Sequence, residues 1–410
     1  MSPCKRWITL SSLVIIALLI GLFAPLRTLP WQMSFATLRE TLVLFPNRVD
    51  EATSHQVPLD THVQTDSTSP DRKQVFRPGS VKPPGQRYSK TLVIPRTKLE
   101  TTDWIHENFD RDPDVDWKVY VVDLAEAPLH PPKNKGHEVM VYLSYIIDYY
   151  HNLSDVNIFM HAHRHAWHHN DLLGHDAVEL VSRLSPERVQ REGYVNLRCS
   201  WDPGCPGWMR PGMIEEDVNK QEEAMLARAW SELFPLEPIP HVLAQPCCAQ
   251  FAISGDRIRS RPWMAYTSYR EWLLRTDLSD DLSGRVFEYV WQFIFTGKHV
   301  VCPKEHVCYC DGFGICFGGE TEFNAYNEKM REHTRLEREL AEWVTRNTMW
   351  DAGEPGSEPA EAGQGDELRR EIGAIRAWCA QTMQDAKHRG EIPTNRAQEA
   401  GRSWKAGQGF

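Results

Sequence analysis

Between Thr91 and Met160 short apolar runs alternate with helical periodicity, and that alternation restricts the fold more than any other feature of the 410-residue chain. Thr91-Leu92-Val93-Ile94 reads as a strand, Trp104, Ile105 and Phe109 fall at helical spacing, and Trp117 to Asp123 reads as a second strand. After a loop, Val139, Leu143, Ile146, Ile147 and Tyr150 share one helical face, and Val156 to Met160 is apolar enough to lie buried in a sheet. Strand, helix, strand, helix, strand within about 75 residues is the pattern of right-handed crossovers. The expected fold is therefore α/β: a single Rossmann-like domain with a mostly parallel sheet.

The third strand runs directly into histidine. His161, His163, His165, His168, His169 and His175 are six of the chain's 17 histidines. Residues two apart on a strand share a face, so His161 and His163 can converge on one group, with His168 or His169 arriving from the loop. Ligands of open α/β sheets bind just past the carboxyl ends of the strands. The plainer alternative is imidazoles satisfied by backbone carbonyls. No Asp-x-Asp or cysteine pair completes a ligand set, so a metal stays open and no cofactor is expected.

Other candidates lie on neighbouring loops and helices. Lys135 and Gly136, just before the Val139 helix and beside Glu138, could present unpaired N–H groups to an anion, or form an ordinary solvated cap. The Pro- and Gly-rich SWDPGCPGW can neither continue a strand nor start a helix. It is expected to cap the core or to line a pocket, with Trp201 as a stacking surface and Asp202 as a polar contact. The apolar segment Ser283 to Phe295 reads as one helix in which Glu288 is either paired with Arg285 or held at a raised pKa suited to proton transfer. Glu215 to Phe234 reads as an amphipathic helix, and Cys247 to Ser254 as a buried strand.

The flanks divide the chain further. A short tail (1–6) precedes an uncharged apolar run, Trp7 to Leu26, long enough for a transmembrane anchor, with a cleaved signal peptide as the competing reading. Residues 27–90 are rich in Pro, Ser and Thr and read as a flexible stem. The α/β domain is expected over 91–317, and 318–410 as a helical extension whose last helix is peripheral or partly disordered. Lys5 and Arg6 before the anchor favour a cytoplasmic amino end and a lumenal body. The spacing in CPKEHVCYCDGFGIC suits small disulfide loops in an oxidising lumen, or thiolates in the cytosol. Asn152-Leu153-Ser154 is a glycosylation sequon. A formal net charge of −10 argues against general affinity for nucleic-acid backbone.

The blocks NKGHEVMVYLSYIIDYY, FMHAHRHAWHHND, NLRCSWDPGCP, CCAQFAIS and SGRVFEYVWQFIF resemble, over roughly Leu92 to Gly297, a fungal family filed as a domain of unknown function. The resemblance implies a fold similar to the GT-A glycosyltransferases and, for some members, synthesis of arginine-containing cyclodipeptides from aminoacyl-tRNAs. Where a GT-A enzyme carries its Asp-x-Asp, this chain has His161-Ala162-His163. The first expectation is thus a membrane-anchored, single-pass synthase joining arginyl-tRNA and a second aminoacyl-tRNA. In it His163 or His168 would act as base, Glu288 would hold an ammonium or guanidinium, and Trp201 would stack on substrate. Aminoacyl-tRNA is cytosolic, so this reading sets aside the charge bias at the anchor. The alternatives are a lumenal Golgi-type glycosyltransferase and a non-catalytic binding protein of the same fold.

Overall fold

The computed structural model describes residues 76–213, 220 and 222–410. The expected tail and anchor, and the stem up to residue 75, lie outside them. Among the described residues no helix is long and apolar enough to cross a membrane.

Five strands form one sheet in the order β2-β1-β3-β5-β4. They are β1 (Lys90–Arg96), β2 (Val115–Val121), β3 (Val156–Phe159), β4 (Tyr194–Asn196) and β5 (Phe251–Ser254). β1 is parallel to both β2 and β3, whereas β5 is antiparallel to both β3 and β4. Four strands thus run one way and β5 alone runs against them. The expectation of a mostly parallel sheet holds, with a reversal that apolar patterning cannot reveal.

Successive strand residues serve opposite faces. Val93, Phe159, Phe251 and Ile253 join one apolar cluster with α2 (Val139–Tyr149), α5 (Glu222–Leu233), α7 (Trp263–Arg275), α8 (Asp280–Glu288) and α9 (Trp291–Thr296). Leu92, Ile94, Ile158 and Ala252 join the other, with α1 (Asp103–Phe109), α3 (Ala177–Arg183), α4 (Pro186–Glu192) and α10 (Glu305–Phe313). The result is a sheet covered on both faces, which is why its strands read as near-continuous apolar runs. A short α6 (Gly255–Arg259) follows β5.

Three expectations need correction. Ser283 to Phe295 is two helices, because the backbone leaves helical geometry at Tyr289 and Val290, so Glu288 stands at the end of α8. The last stretch of the stem is folded onto the body: Gly79 N–H donates to the Gln190 carbonyl at 2.7 Å, Lys82 pairs with Asp155 at 2.6 Å and Tyr88 is buried. The C-terminal extension is likewise packed. α11 (Glu320–Asp351) and α12 (Gln364–Gly390) bury Leu336, Leu368, Ile372 and Ile375, and Arg402, beyond α13 (Pro393–Glu399), reaches the buried Asp311 at 2.6 Å.

Among the described residues eight cysteines form disulfides, and Cys379 is free and buried. Cys310–Cys316 closes a small loop of the expected kind. Cys199–Cys308 and Cys205–Cys302 instead span 109 and 97 residues, tying the loop after β4 to α10 and the segment before it. Cys247 and Cys248 are bonded to each other immediately before β5.

Candidate functional site

The carboxyl ends of β1 and β3 and the amino end of the reversed β5 meet at one edge of the sheet. β3 ends at Phe159, so the strand alternation expected to align His161 with His163 has already lapsed. The two part company there. His163 is exposed and its Nε2 faces a Glu100 oxygen at 3.4 Å, while the half-buried His161 pairs through Nδ1 with His168 Nε2 at 2.8 Å. The His161 N–H donates to Gln250 Oε1 at 3.1 Å, which fixes this histidine to the start of β5. His169 and His175 bond each other's carbonyls through Nδ1, at 3.1 and 3.2 Å, and so close the loop structurally.

Burial, followed by the neighbouring imidazoles, pushes the His161 pKa down to about 4 and drives that of His168 far below its ordinary value. Both rings are neutral at physiological pH, and the same lowering makes them weak bases that can accept hydrogen bonds. Among the described residues, no group of three or more donor atoms lying within 4.8 Å of one another includes a histidine. The two groups that exist, Cys247-Cys248-Glu288 and Cys310-Cys316-Glu399, have their sulfurs tied up in disulfides.

Two residues before Gln250, the Cys248 N–H donates to Glu288 Oε1 at 2.5 Å, and the Gln245 amide holds the Glu288 carbonyl at 2.5 Å. Cys248 and Ala249 have φ of 84° and 48°, the left-handed region that non-glycine residues rarely adopt. Burial raises the Glu288 pKa, with the Glu222 carboxylate adding to it. Glu138, on the turn that opens α2, is raised to about 8 by burial and by repulsion from Glu288 and Asp280. Among the described residues neither Glu138 nor Glu288 has a basic side chain within salt-bridge distance. Arg285 does not pair with Glu288, one of the two alternatives expected for that carboxylate. It faces the buried Glu222 at 3.1 Å and Asp281 at 3.6 Å, because one turn of α8 turns its side chain toward α5.

Tyr142, one turn past Glu138, and Trp291, three residues past Glu288, are fully buried with ring centroids 6.2 Å apart. Among the described residues neither the phenol oxygen nor the indole nitrogen has a hydrogen-bond partner. Buried polar atoms without partners are uncommon and call for an explanation such as strain or an ordered water, and others occur elsewhere in this core, at Tyr120, Ser144 and Trp230. The imidazole pair is tied to Gln250 and the Glu288 carboxylate to Cys248, so one short segment before β5 holds both, with Glu138 in electrostatic reach of Glu288.

The expected anion loop is differently employed. The Gly136 N–H donates to Asp280 Oδ1 at 2.5 Å and Lys135 Nζ donates to the Thr276 carbonyl at 2.5 Å, so the turn is docked on the segment leading into α8. Gly136 has φ 71°, and a Cβ there would stand 2.7 Å from Leu273, so glycine is needed for packing rather than for phosphate. Trp201 is tethered through its N–H to Glu305 and through its indole nitrogen to the Pro303 carbonyl, both at 2.7 Å. Asp202 is exposed, and its carbonyl accepts from Arg198 at 2.8 Å. These two residues border the second disulfide-tied loop rather than the carboxylate pair. Sequence reasoning missed Gln250, Tyr142, Trp291 and the Cys247–Cys248 bond. The adjacent cysteines were the one available signal, and their placement inside a strand obscured it.

Over residues 92–311, just over half the chain, the sequence matches the family described as Protein of unknown function (DUF3431), and the chain belongs to that family. No curated protein and no solved structure matches it.

Proposed function

We propose that the chain is an aminoacyl-transferring enzyme that closes an arginine-containing cyclic dipeptide from arginyl-tRNA and a second aminoacyl-tRNA. The observation that carries this reading is the Glu138–Glu288 pair, two largely buried carboxylates that repel each other and have no basic partner among the described residues, with burial raising the pKa of both. A guanidinium or ammonium entering between the carboxylates would offset their repulsion and return both to the ionised form. The neutral, weakly basic imidazole pair can accept a hydrogen bond from the attacking amine and orient it. Aminoacyl esters are already activated, so positioning and proton transfer suffice: in each of two successive steps an amine nitrogen forms an amide as one ester carbon–oxygen bond breaks and that ribose oxygen leaves with the amine's proton, the second step closing the ring. No cofactor enters this scheme. Purified protein supplied with labelled arginine, its synthetase and tRNA should release a cyclic dipeptide whose formation ribonuclease abolishes. A product formed equally well after ribonuclease treatment refutes the reading.

A second reading has its own support. Four disulfides, two of them closing loops of 109 and 97 residues, suit an oxidising compartment, as does the Asn152 sequon. A body on the lumenal side would favour a Golgi-type transferase on sugar or acyl donors, using the same carboxylates and imidazoles. Protease protection of the body in intact microsomes, together with a glycosidase-sensitive mass shift, would select it.

A further inference from the structure

A concavity lined by none of the residues around Glu138 and Glu288 lies between α11 and the segments carrying Asp171, Ser200, Glu305 and Tyr309. Its volume is ≈ 550 Å³, within the range of small-molecule pockets. One wall is a single face of α11 that presents Asn327, Arg331, Thr334, Arg335 and Arg338. Arg335 is paired with Glu339 on its own helix at 2.6 Å. Arg331 and Arg338 have no carboxylate within 4.0 Å among the described residues, although the helix is rich in glutamate. Neighbouring arginines of the same hairpin do pair, Arg376 with Glu337 at 3.2 Å and Arg369 with Asp366 at 2.9 Å.

The acids on the opposite wall are already engaged. The Tyr309 hydroxyl and the Leu172 N–H both donate to Asp171, and Glu305 accepts the Trp201 N–H at 2.7 Å while burial pushes its pKa up. Arg198 adds positive charge close by. Its two terminal nitrogens donate to backbone carbonyls, and its buried Nε has no partner among the described residues. The cavity thus sets two unpaired guanidiniums, Arg331 and Arg338, opposite two carboxylates that already accept hydrogen bonds from the protein. Phe323, Met330 and Leu172 give it an apolar portion. Its floor is firm, because α10 is tied to the loop after β4 by Cys199–Cys308.

We propose that this cavity binds a small organic diphosphate, with Arg331 and Arg338 holding the phosphates and the Phe323–Met330 side taking the organic body. Two unpaired guanidiniums seven residues apart on a helix stand about 10 Å apart along its axis, which suits a multiply charged anion better than a single carboxylate. Nucleic-acid backbone fits less well, because α11 interleaves its arginines with glutamates that would repel an extended polyanion. This site shares no residue with the carboxylate–imidazole site and does not depend on the reaction proposed there.

Calorimetric titration of the full chain with inorganic pyrophosphate and with ADP tests it. Both should bind, ADP the more tightly. Arg331→Gln combined with Arg338→Gln should weaken pyrophosphate by about 30-fold or more, as expected for two charge-assisted contacts. Arg346→Gln, on the same helix outside the cavity, should leave binding as it is. Absence of pyrophosphate binding, or equal binding by the Arg331/Arg338 double variant, overturns the site. ADP binding no tighter than pyrophosphate overturns the assignment of the apolar side.

Discussion

Replacing Glu138 by Gln should make the protein more stable, and increasingly so as the pH rises. The wild-type carboxyl moves from an ordinary value of 4.5 to about 8 on folding, so the folded state holds a proton that the unfolded state releases. For a carboxylate raised in this way, stability is fully present below the unfolded value and is lost as pH climbs from 4.5 towards about 8. Linkage over that interval gives a loss of about 3 kcal/mol between about pH 5.5 and about pH 8.5. Relaxation and water entry reduce this, so a loss of about 1.5–3 kcal/mol is expected. The carboxamide of Glu138→Gln keeps the shape and the short-range hydrogen bonding but has nothing to ionise. Urea unfolding of both proteins across this pH range should give curves that converge near the acid end and diverge above neutrality, with the variant the more stable. An arginine amide ligand should raise wild-type stability most at the alkaline end, because it meets the ionised pair, and should do less for the variant. Parallel curves for the two proteins would show that Glu138 titrates normally, and the cation-binding argument would fall with it.

The histidine pair predicts the opposite limb. With the His161 pKa lowered from 6.5 to about 4, its contribution is intact above pH 6.5 and is lost as pH falls toward 4, amounting to about 2 kcal/mol by about pH 4.5. His161→Gln should flatten this acid limb in thermal melts, and an unchanged slope would place the titration elsewhere. Removing the Cys205–Cys302 bond by paired substitution with Ala should lower stability by about 3 kcal/mol on the loop-entropy account, because the enclosing Cys199–Cys308 bond leaves it only a circuit of about 14 residues to close. A shift in the urea midpoint equivalent to less than about 1 kcal/mol would mean that the unfolded chain is already constrained there.

The sheet was legible because its strands are buried on both faces and their apolar runs stand out; each of the five observed strands falls where an apolar run lies. The extents were less legible. The run from Cys247 reads as strand on composition alone, yet the adjacent-cysteine ring and the positive φ at Cys248 and Ala249 delay β5 until Phe251. The break after Glu288 is hidden for a similar reason: Tyr289 and Val290 are as apolar as a helix interior, and only packing turns the chain there. α4, α7 and α10 escaped notice because their flanking loops carry Pro, Gly or Cys, which mask short helical periods.

The direction of β5 is what makes the site possible, and no local property of the sequence encodes it. The chain leaves β4 at Asn196 and wanders through two cis prolyl bonds and a disulfide-tied loop before re-entering the sheet at Phe251. Because it re-enters antiparallel, the residues just before β5 lie at the same edge as the residues just after β3. Gln250 can then hold His161, and Cys248 can hold Glu288, within one segment. A parallel β5 would put residues 247–250 at the opposite edge, leaving the imidazoles and the carboxylates with no shared frame. Glu138 is fixed to that frame from the other side, since the Gly136 turn is docked on Asp280 at the start of the helix that ends in Glu288. The imidazole pair and the two carboxylates are therefore attached to one frame by a strand reversal and a loop-to-helix dock. Both are tertiary contacts, and this explains why the histidines were conspicuous in the sequence while their working partners were not.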